Sequence, residues 1–527
     1  MTTTNSAVPS GCAFLSHTPE SIFTPEQFSD DEAMMIATAE QFSRKEVHPL
    51  LDRLEIQEMG LMPRLIRKAG ELGLCGVDTP EEFGGLGQSK NVAARILEYM
   101  SLNGSFSVTY GITSGISQTG LSLFGTDDQK RRYLPHLASG EWIGAYALSE
   151  PNSGSDALSM ATKAVKQGNR YVLNGTKMWI SNAKWADLFL VMAKVDGERV
   201  SAFLVEKNFP GVSVAREEYK MGLKGSSTAR VLLENAEVPE ENLLHEEGLG
   251  HHVAFNALNL GRFKLSSMSI GPARDAMGLA AEYALERRQF GKPIASFGLI
   301  QKKFAHMAAS FYAAESMIYR TGALIDSAFE RFGGTVDGNR KAAEEYAVEC
   351  SACKVFATET ESEMVDEALQ VYGGYGFTEE FPIARIYRDA RVSRIYEGTN
   401  EINRLFISDR LQRRIKEGRV PDATSGDSFL SELVGKALRV RPTDQIGIGA
   451  LSDILLLAYA EQSARLRSLQ NTGVGSELYR MIVPFLNAKG AEAYQLLTAE
   501  AVTLPATKPV DIAEIARLVY EKRGPLA

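Results

Sequence analysis

From about Thr24 to Gly140 apolar residues recur at steps of three and four, the period of helices that bury one face. The clearest case is "DDEAMMIATAEQFSRKEVHPLLDRL", with Ser29 and Asp30 at its start suited to cap the first turn. Clustered glycines in "TPEEFGGLG" interrupt the pattern. From about Tyr146 to Leu244 the period shortens. "RYVLNGTKMWI", "ADLFLVMAKVDGERVSAFLVEK" and "TARVLLENAEVP" read as strands rich in β-branched and aromatic residues, punctuated by Asn-Gly and Asp-Gly. Long helical patterns return from Gly248 to about Ile415, as in "GPARDAMGLAAEYALERRQF". The stretch "GRVPDATSGDS" reads as a linker, and "ALSDILLLAYAEQSARLRSL" and "DIAEIARLVYEKR" as further helices. The expected architecture is multidomain α+β. It has an N-terminal helical domain (24–145), a middle β-domain (146–247), a C-terminal bundle of four helices (248–415) and an additional C-terminal helical region (428–527).

Composition narrows the function classes. A chain of 527 residues exceeds what one core organises, so several domains are expected. A net charge of -9 without a basic tract argues against a nucleic-acid surface. Four cysteines do not make a disulfide scaffold. Cys350 and Cys353 lie in a helical pattern with no second pair or histidine to complete a metal site, so they read as packing residues and no metal is expected. The opening "MTTTNSAVPSGCAFLSHTPES" has neither the basic and apolar regions of a secretory signal nor the arginines of a mitochondrial presequence. Residues 101–126 carry no charge, but their Ser, Thr, Gln and Asn are costly in lipid, and "ILLLAYA" is too short to span it. The expectation is a cytoplasmic protein, with membrane association unsupported.

Three stretches carry candidate chemistry. "YALSEPNSGSDALSMATKA" opens the strand region with hydroxyls and small residues, either a solvated turn or a place where backbone approaches a ligand. In "GTKMWISNA" Trp179 and Ser181 are two apart, hence on one face of a strand, which suits a flat heterocycle or plain core. In "RIYEGTNEINRLF" Glu397 is either a loop carboxylate paired with an arginine or a base held for a proton. The glycines of "QVYGGYGFTEE" lie between helical patterns rather than in a βαβ unit, which gives no support to a Rossmann site. His251 and His252 read as polar residues at a helix start.

Taken together, "YALSEPNSGSD", "GTKMWISN", "KMGLKGSSTARVLLENAEVPEENLL", "YALERRQFGKPI", "QVYGGYGFTEEFPIARIYRDAR" and "IYEGTNEI" resemble the FAD-dependent acyl-CoA dehydrogenase family in order and spacing, over roughly residues 30 to 412. The added C-terminal helices and "NALNLGRF" are most similar to the very-long-chain branch, with a shorter C-terminal portion. The resemblance implies that Tyr146, Leu148, Ser149, Trp179, Ile180 and Ser181 line the flavin ring of FAD, and that Ser155 meets the flavin phosphates and CoA. It implies that Arg287, Gln289, Phe290, Gln370, Gly373 and Gly374 reach the FAD of a neighbouring subunit, hence a homodimer or homotetramer. Gln289 stands where relatives often carry threonine. Thr399 and Glu401 match FAD phosphate and ribose positions, and Asn259 and Arg262 match contacts to the acyl-CoA substrate.

Glu397 falls on the family's catalytic base, with Tyr396 and Gly398 bending the backbone around the substrate. Desaturation needs an α-proton removed while a β-hydride goes to flavin N5, and burial beside an acyl chain would raise the carboxylate toward a matched base. Some branches carry the base directly before the arginine of "NLGRF"; here that residue is Gly261, so Glu397 has no rival. The expected reaction is α,β-dehydrogenation of a fatty acyl-CoA to the trans-2-enoyl-CoA in β-oxidation, with electrons passed to electron-transferring flavoprotein. Val108, Gly111, Ile112, Gly115 and Gly120 lie where relatives floor the acyl pocket and carry no charge, which suggests a long chain or simply close helix packing. An acyl-CoA oxidase and an assembly scaffold on the same fold are the alternatives; Glu397 counts against the flavin monooxygenases of this fold, which lack the base.

Overall fold

Ser29 starts the first long helix as its hydroxyl and Glu32 exchange hydrogen bonds in a capping box, Ser29 N–H donating to the Glu32 carboxylate at 2.8 Å. The structure is a computed structural model that describes residues 10–420 and 428–526. Most of the linker "GRVPDATSGDS" thus lies outside the described residues. The chain folds into two compact units, Ser29–Lys264 with Phe332–Glu344, and the chain up to Phe28 with Leu265–Arg331 and everything from Glu345 on.

In the first unit, helices α1 (Asp30–Phe42), α2 (Leu51–Glu55), α3 (Leu61–Glu71), α4 (Lys90–Met100), α5 (Gly104–Gly111), α6 (Ser117–Phe124) and α7 (Asp127–Ala138) precede an eight-stranded sheet. A widened turn, Ile112–Ile116, joins α5 to α6, and within it Gly115 leaves helical geometry at φ -117° and ψ -106°. The strands are β1 (Gly144–Ala147), β2 (Lys163–Gln167), β3 (Arg170–Ser181), β4 (Leu188–Val195), β5 (Arg199–Glu206), β6 (Val212–Glu217), β7 (Thr228–Pro239) and β8 (Leu243–Leu244). They lie in the order β6-β7-β3-β2-β4-β5-β8, with β1 parallel to β4. Phe189, Val191, Phe203, Val205, Tyr171 and Leu173 fill the core on one face of the sheet.

The two turn dipeptides have different fates. Asp196 and Gly197 both take positive φ, 53° and 81°, and close the β4–β5 hairpin as expected. Asn174-Gly175 instead lies inside β3, at a register shift against β7. A side chain at Gly175 would strike the Thr162 hydroxyl at 2.3 Å, so the glycine lets two backbones pass and marks no turn.

Helix α8 (Gly250–Glu286) contributes residues up to Lys264 to the first unit and the rest to the second. It is followed by the hairpin β9 (Arg288–Gln289) and β10 (Lys292–Pro293), then α9 (Gly298–Phe332), α10 (Val336–Glu345), α11 (Ala347–Tyr372), α12 (Pro382–Ala390) and α13 (Asn400–Lys416). The C-terminal helices are α14 (Phe429–Ala437), α15 (Gln445–Gln470), α16 (Val474–Thr498) and α17 (Ile512–Lys522).

Within the second unit α15 packs against α11, α13, α14 and α16, and its "ILLLAYA" run is buried. Arg467 of α15, wholly buried, bonds Glu315 of α9 at 2.8 Å and Glu26, its guanidinium 4.4 Å from the Tyr312 ring centre. Gln470 and Ile22 exchange backbone–side-chain bonds of 2.8 and 2.9 Å, so the N-terminal segment is stitched to the C-terminal helices. No described helix is long and apolar enough to cross a membrane.

Candidate active site

In the first unit β1 ends at the hydroxyl-rich loop. Met178 N–H donates to the Ser149 carbonyl at 2.8 Å, which sets Tyr146, Leu148 and Ser149 beside Trp179, Ile180 and Ser181 of β3. Beneath them Lys177, fully buried, donates to the Leu148 carbonyl at 3.1 Å and to Glu150 at 2.7 Å. Burial lowers the Lys177 ammonium to about 8, against the pull of Glu150. Burial acts to raise Glu150, but Lys177 and the Ala161 and Thr162 N–H groups outweigh it and hold the carboxylate low.

Regular alternation breaks at Trp179. The residue sits at a bulge between Lys177 and Ile180 with φ of 61°, and 57% of it is exposed, while Ile180 turns into the core. A β-branched or aromatic residue occupies this region only when its surroundings impose it. The indole therefore lies outside the core of the sheet. Ser155 is exposed in the following loop, which turns on bonds between Glu150 and Ser153 and from the Ser153 hydroxyl to the Asp156 carbonyl. On α8, Arg262 donates to Asn259 at 3.3 Å, and both are nearly buried.

In the second unit Glu397 lies between α12 and α13 with φ of 57°, followed by Gly398 at 81°. Thr399 caps α13, its hydroxyl accepting from Ile402 N–H at 3.3 Å, and Glu401 sits in the first turn. The backbone N–H at this helix start holds the Glu401 carboxyl below its ordinary value. Lys354 of α11, fully buried, donates to the Gly398 carbonyl at 3.0 Å and to Asn400 Oδ1 at 2.7 Å. Asn403 Nδ2 donates to the same carbonyl at 2.8 Å. Tyr396 is held neutral, its hydroxyl raised by burial and by the carboxylates of Glu361, Glu397 and Asp389. Glu361, two turns along α11 from Lys354, is pushed up to about 8 by burial.

A separate corner of this unit gathers the remaining expected residues. Tyr283 and Tyr372 stack at 4.2 Å, joining the ends of α8 and α11, and Arg287 lies over the Tyr375 ring at 5.4 Å. Gln289, Gln370, Gly373 and Gly374 are exposed here, and Phe290 is 93% exposed with φ of 52°. Nothing lies within 4 Å of a Cβ built at Gly373 or Gly374, so this surface is open. The expected residues thus form four groups: Tyr146–Ser149 with Trp179–Ser181 and the Ser155 loop, the Asn259–Arg262 pair on α8, the Glu397 loop, and the Arg287 corner. Lys177, Lys354 and Glu361 were not singled out from the sequence. No local signal separated these charges from the solvent-facing ones on the same elements.

Comparison with known proteins defines the class. The N-terminal, middle and C-terminal domain models of acyl-CoA dehydrogenase match residues 29–141, 145–236 and 248–412. A Bacillus subtilis protein named "Probable acyl-CoA dehydrogenase" is 49% identical over 423 residues, 79% of this chain and 71% of that one. The human mitochondrial very long-chain specific acyl-CoA dehydrogenase is 37% identical over 86% of this chain and 64% of its own length. A crystal structure of a Bacillus anthracis acyl-CoA dehydrogenase complexed with FAD superposes with a TM-score of 0.91 at 39% identity, covering 98% of this chain and 100% of that one. The chain belongs to the acyl-CoA dehydrogenase family, an enzyme family whose cofactor is FAD. The exposed indole face at Trp179, beside the Tyr146–Ser149 backbone, fits a flat heterocycle of that kind.

Proposed function

We propose that Glu397 is the base in α,β-dehydrogenation of a long-chain acyl-CoA to the trans-2-enoyl-CoA, in β-oxidation, with electrons passed to electron-transferring flavoprotein. The observation that carries the reading is the loop itself. A glutamate is held in the left-handed region beside a glycine in the same region, a conformation L-residues leave unless the surroundings fix it. Glu397 takes the α-proton of the thioester, and the charge left on the thioester oxygen needs donors fixed in advance. The carboxylate is matched to the task by the largely apolar, water-poor surroundings an acyl chain supplies.

Bound FAD would supply the hydride acceptor for the β-carbon. In this reading Tyr146, Leu148, Ser149, Trp179 and Ser181 hold its ring, Ile180 contributes backbone only, because its side chain is in the core, and Ser155, Thr399 and Glu401 hold its phosphate and ribose region. Asn259, Arg262, Ser155, Tyr396 and Gly398 serve the substrate. Arg287, Gln289, Phe290, Gln370, Gly373 and Gly374 serve the cofactor of a second copy in a cytoplasmic homo-oligomer. Domain boundaries at 24–145, 146–247, 248–415 and 428–527 accompany this proposal.

The deciding experiment is anaerobic mixing of the flavin-loaded enzyme with palmitoyl-CoA. Glu397→Gln is expected to keep its flavin and lose bleaching rate by about two to four powers of ten. Near-normal bleaching by this variant defeats the assignment. Peroxide release under air at a rate equal to turnover would instead favour an oxidase.

A further inference from the structure

We infer that Lys354 is a positioning residue for Glu397, acting through the carbonyl of Gly398. The inference rests on Glu397 being the base and extends that reading to what holds the base in place.

The loop has a conformational problem that α11 solves. Glu397 and Gly398 are consecutive residues at positive φ, and only the glycine adopts that region freely. Glu397 therefore stays there only while its neighbours are clamped. The Gly398 carbonyl takes two donors, Lys354 Nζ at 3.0 Å and Asn403 Nδ2 at 2.8 Å. Asn403 also donates to the Thr399 carbonyl at 3.1 Å. Asn400, next in the chain, accepts from Lys354 at 2.7 Å and donates to Thr358 at 3.1 Å and to Glu359 at 3.0 Å. Three consecutive residues after the base are thus tied down, and Lys354 reaches two of them.

Lys354 would be a poor choice for helix packing alone. It is fully buried on α11 beside Cys353 and Val355, where a leucine or methionine would fill space without desolvating an ammonium. What distinguishes lysine here is its three donors and its charge. Two of its bonds go to the backbone and side chain of the loop that carries the base, and its charge also acts on the buried Glu361 carboxyl. Thr358, one turn along α11, and Asn403, on α13, complete the clamp from two different helices.

Proton transfer is steeply sensitive to such a clamp. A misplacement of about 1 Å in a reacting group lowers the rate by about a hundredfold. Loss of Lys354 frees one of the two bonds on Gly398 and one on Asn400; the Gly398 carbonyl keeps Asn403, Thr399 keeps its cap on α13, and the Asn259–Arg262 pair and the Ser149–Met178 bond are untouched. The effect should therefore fall on kcat and spare KM.

The test is anaerobic rapid-mixing bleaching of the full-length flavin-loaded enzyme by palmitoyl-CoA, with flavin content and KM measured in parallel. Lys354→Met is expected to lower kcat about ten- to a hundredfold with KM and flavin content within twofold of the parent. Lys354→Arg, which keeps charge and donors, is expected to recover part of the loss. In the Glu397→Gln background, Lys354→Met should add little. Should Lys354→Met give no soluble holoenzyme, Asn403→Ala removes the other donor to the same carbonyl; because Asn403 also holds Thr399, its kcat is then compared at matched flavin content. Slow bleaching by Glu397→Gln alongside near-parental kcat in Lys354→Met and Asn403→Ala overturns the positioning role and leaves the base assignment standing. A loss in Lys354→Met shared equally by KM or flavin content also overturns it, as a general structural effect. Fast bleaching by Glu397→Gln removes the base reading and this proposal with it.

Discussion

Glu361 shows how a single side chain on α11 escapes a sequence reading. In "CKVFATETESEMVDE" charged residues recur so often that a helix face open to solvent is the natural reading. The structure instead turns Lys354 and Glu361, seven residues apart and on one face, into the interior. No local pattern says which of several charged faces is buried; that is decided by α12 and the base loop packing from outside. Burial raises the Glu361 carboxyl from 4.5 to about 8, with Asp389 adding to the rise and Ser393, Ser269 and Lys354 opposing it. The folded chain therefore keeps a proton that the unfolded chain has released over that window, and stability falls as pH rises through it. Glu361→Gln removes this dependence. Its melting temperature relative to the parent is expected to rise between pH 5 and pH 8.5 and to level off above, measured by thermal unfolding of the holoenzyme. A difference independent of pH would show that Glu361 ionises normally. Glu397 was legible for the opposite reason: a short motif surrounds it, and a motif is a local signal.

At the scale of elements, the periodicities that specify local geometry were read well, and those that depend on a distant neighbour were not. The Ser29 cap and the Asp196-Gly197 hairpin need only adjacent residues. Asn174-Gly175 answers to Thr162 across the sheet, and so became a bulge. The same distinction divides the glycines of α5 and α6. A Cβ at Gly120 would meet Leu190 at 2.7 Å, so this glycine serves close packing of α6 on β4 and offers no acyl surface. At Gly115 a Cβ would meet only the Lys264 stem at 3.4 Å, and the chain leaves helical geometry there. Val108, Ile112 and Gly115 lie in or just before that widened turn, on an element without charge. If this turn floors the acyl site, a carboxylate placed in it should close the site to long chains. Ile112→Glu is expected to move the preferred substrate to shorter acyl-CoAs, with each methylene no longer buried forfeiting about 0.8 kcal/mol. Measuring kcat/KM from butyryl- to palmitoyl-CoA checks this, and an unchanged length profile places the floor elsewhere.

For the whole molecule, the sequence conveyed three textures and their order, and the three family domain models fall on the same succession. It could not convey that the N-terminal segment and the C-terminal helices join one compact unit, because Glu26, Glu315 and Arg467 meet only after folding. The proposed assembly beyond the single chain rests on the surface of that unit. Phe290 and Phe377 are 93% and 89% exposed, and Phe290 is presented at positive φ by the β9–β10 hairpin. An exposed Phe290 with Arg287, Arg288 and Lys292 next to it in the chain suits a contact that is part apolar and part anionic. The Arg287 guanidinium lies over the Tyr375 ring. A second copy whose cofactor phosphates meet Arg287 would account for both features at once. Arg287→Ala is then expected to weaken FAD retention about ten- to a hundredfold, the scale of one charged hydrogen bond. Because the cofactor would be shared across the contact, dissociation into single chains on dilution should follow the flavin loss, read together by light scattering and flavin absorbance. A parent enzyme that stays fully flavin-loaded as a single chain would separate the two and end the shared-site reading.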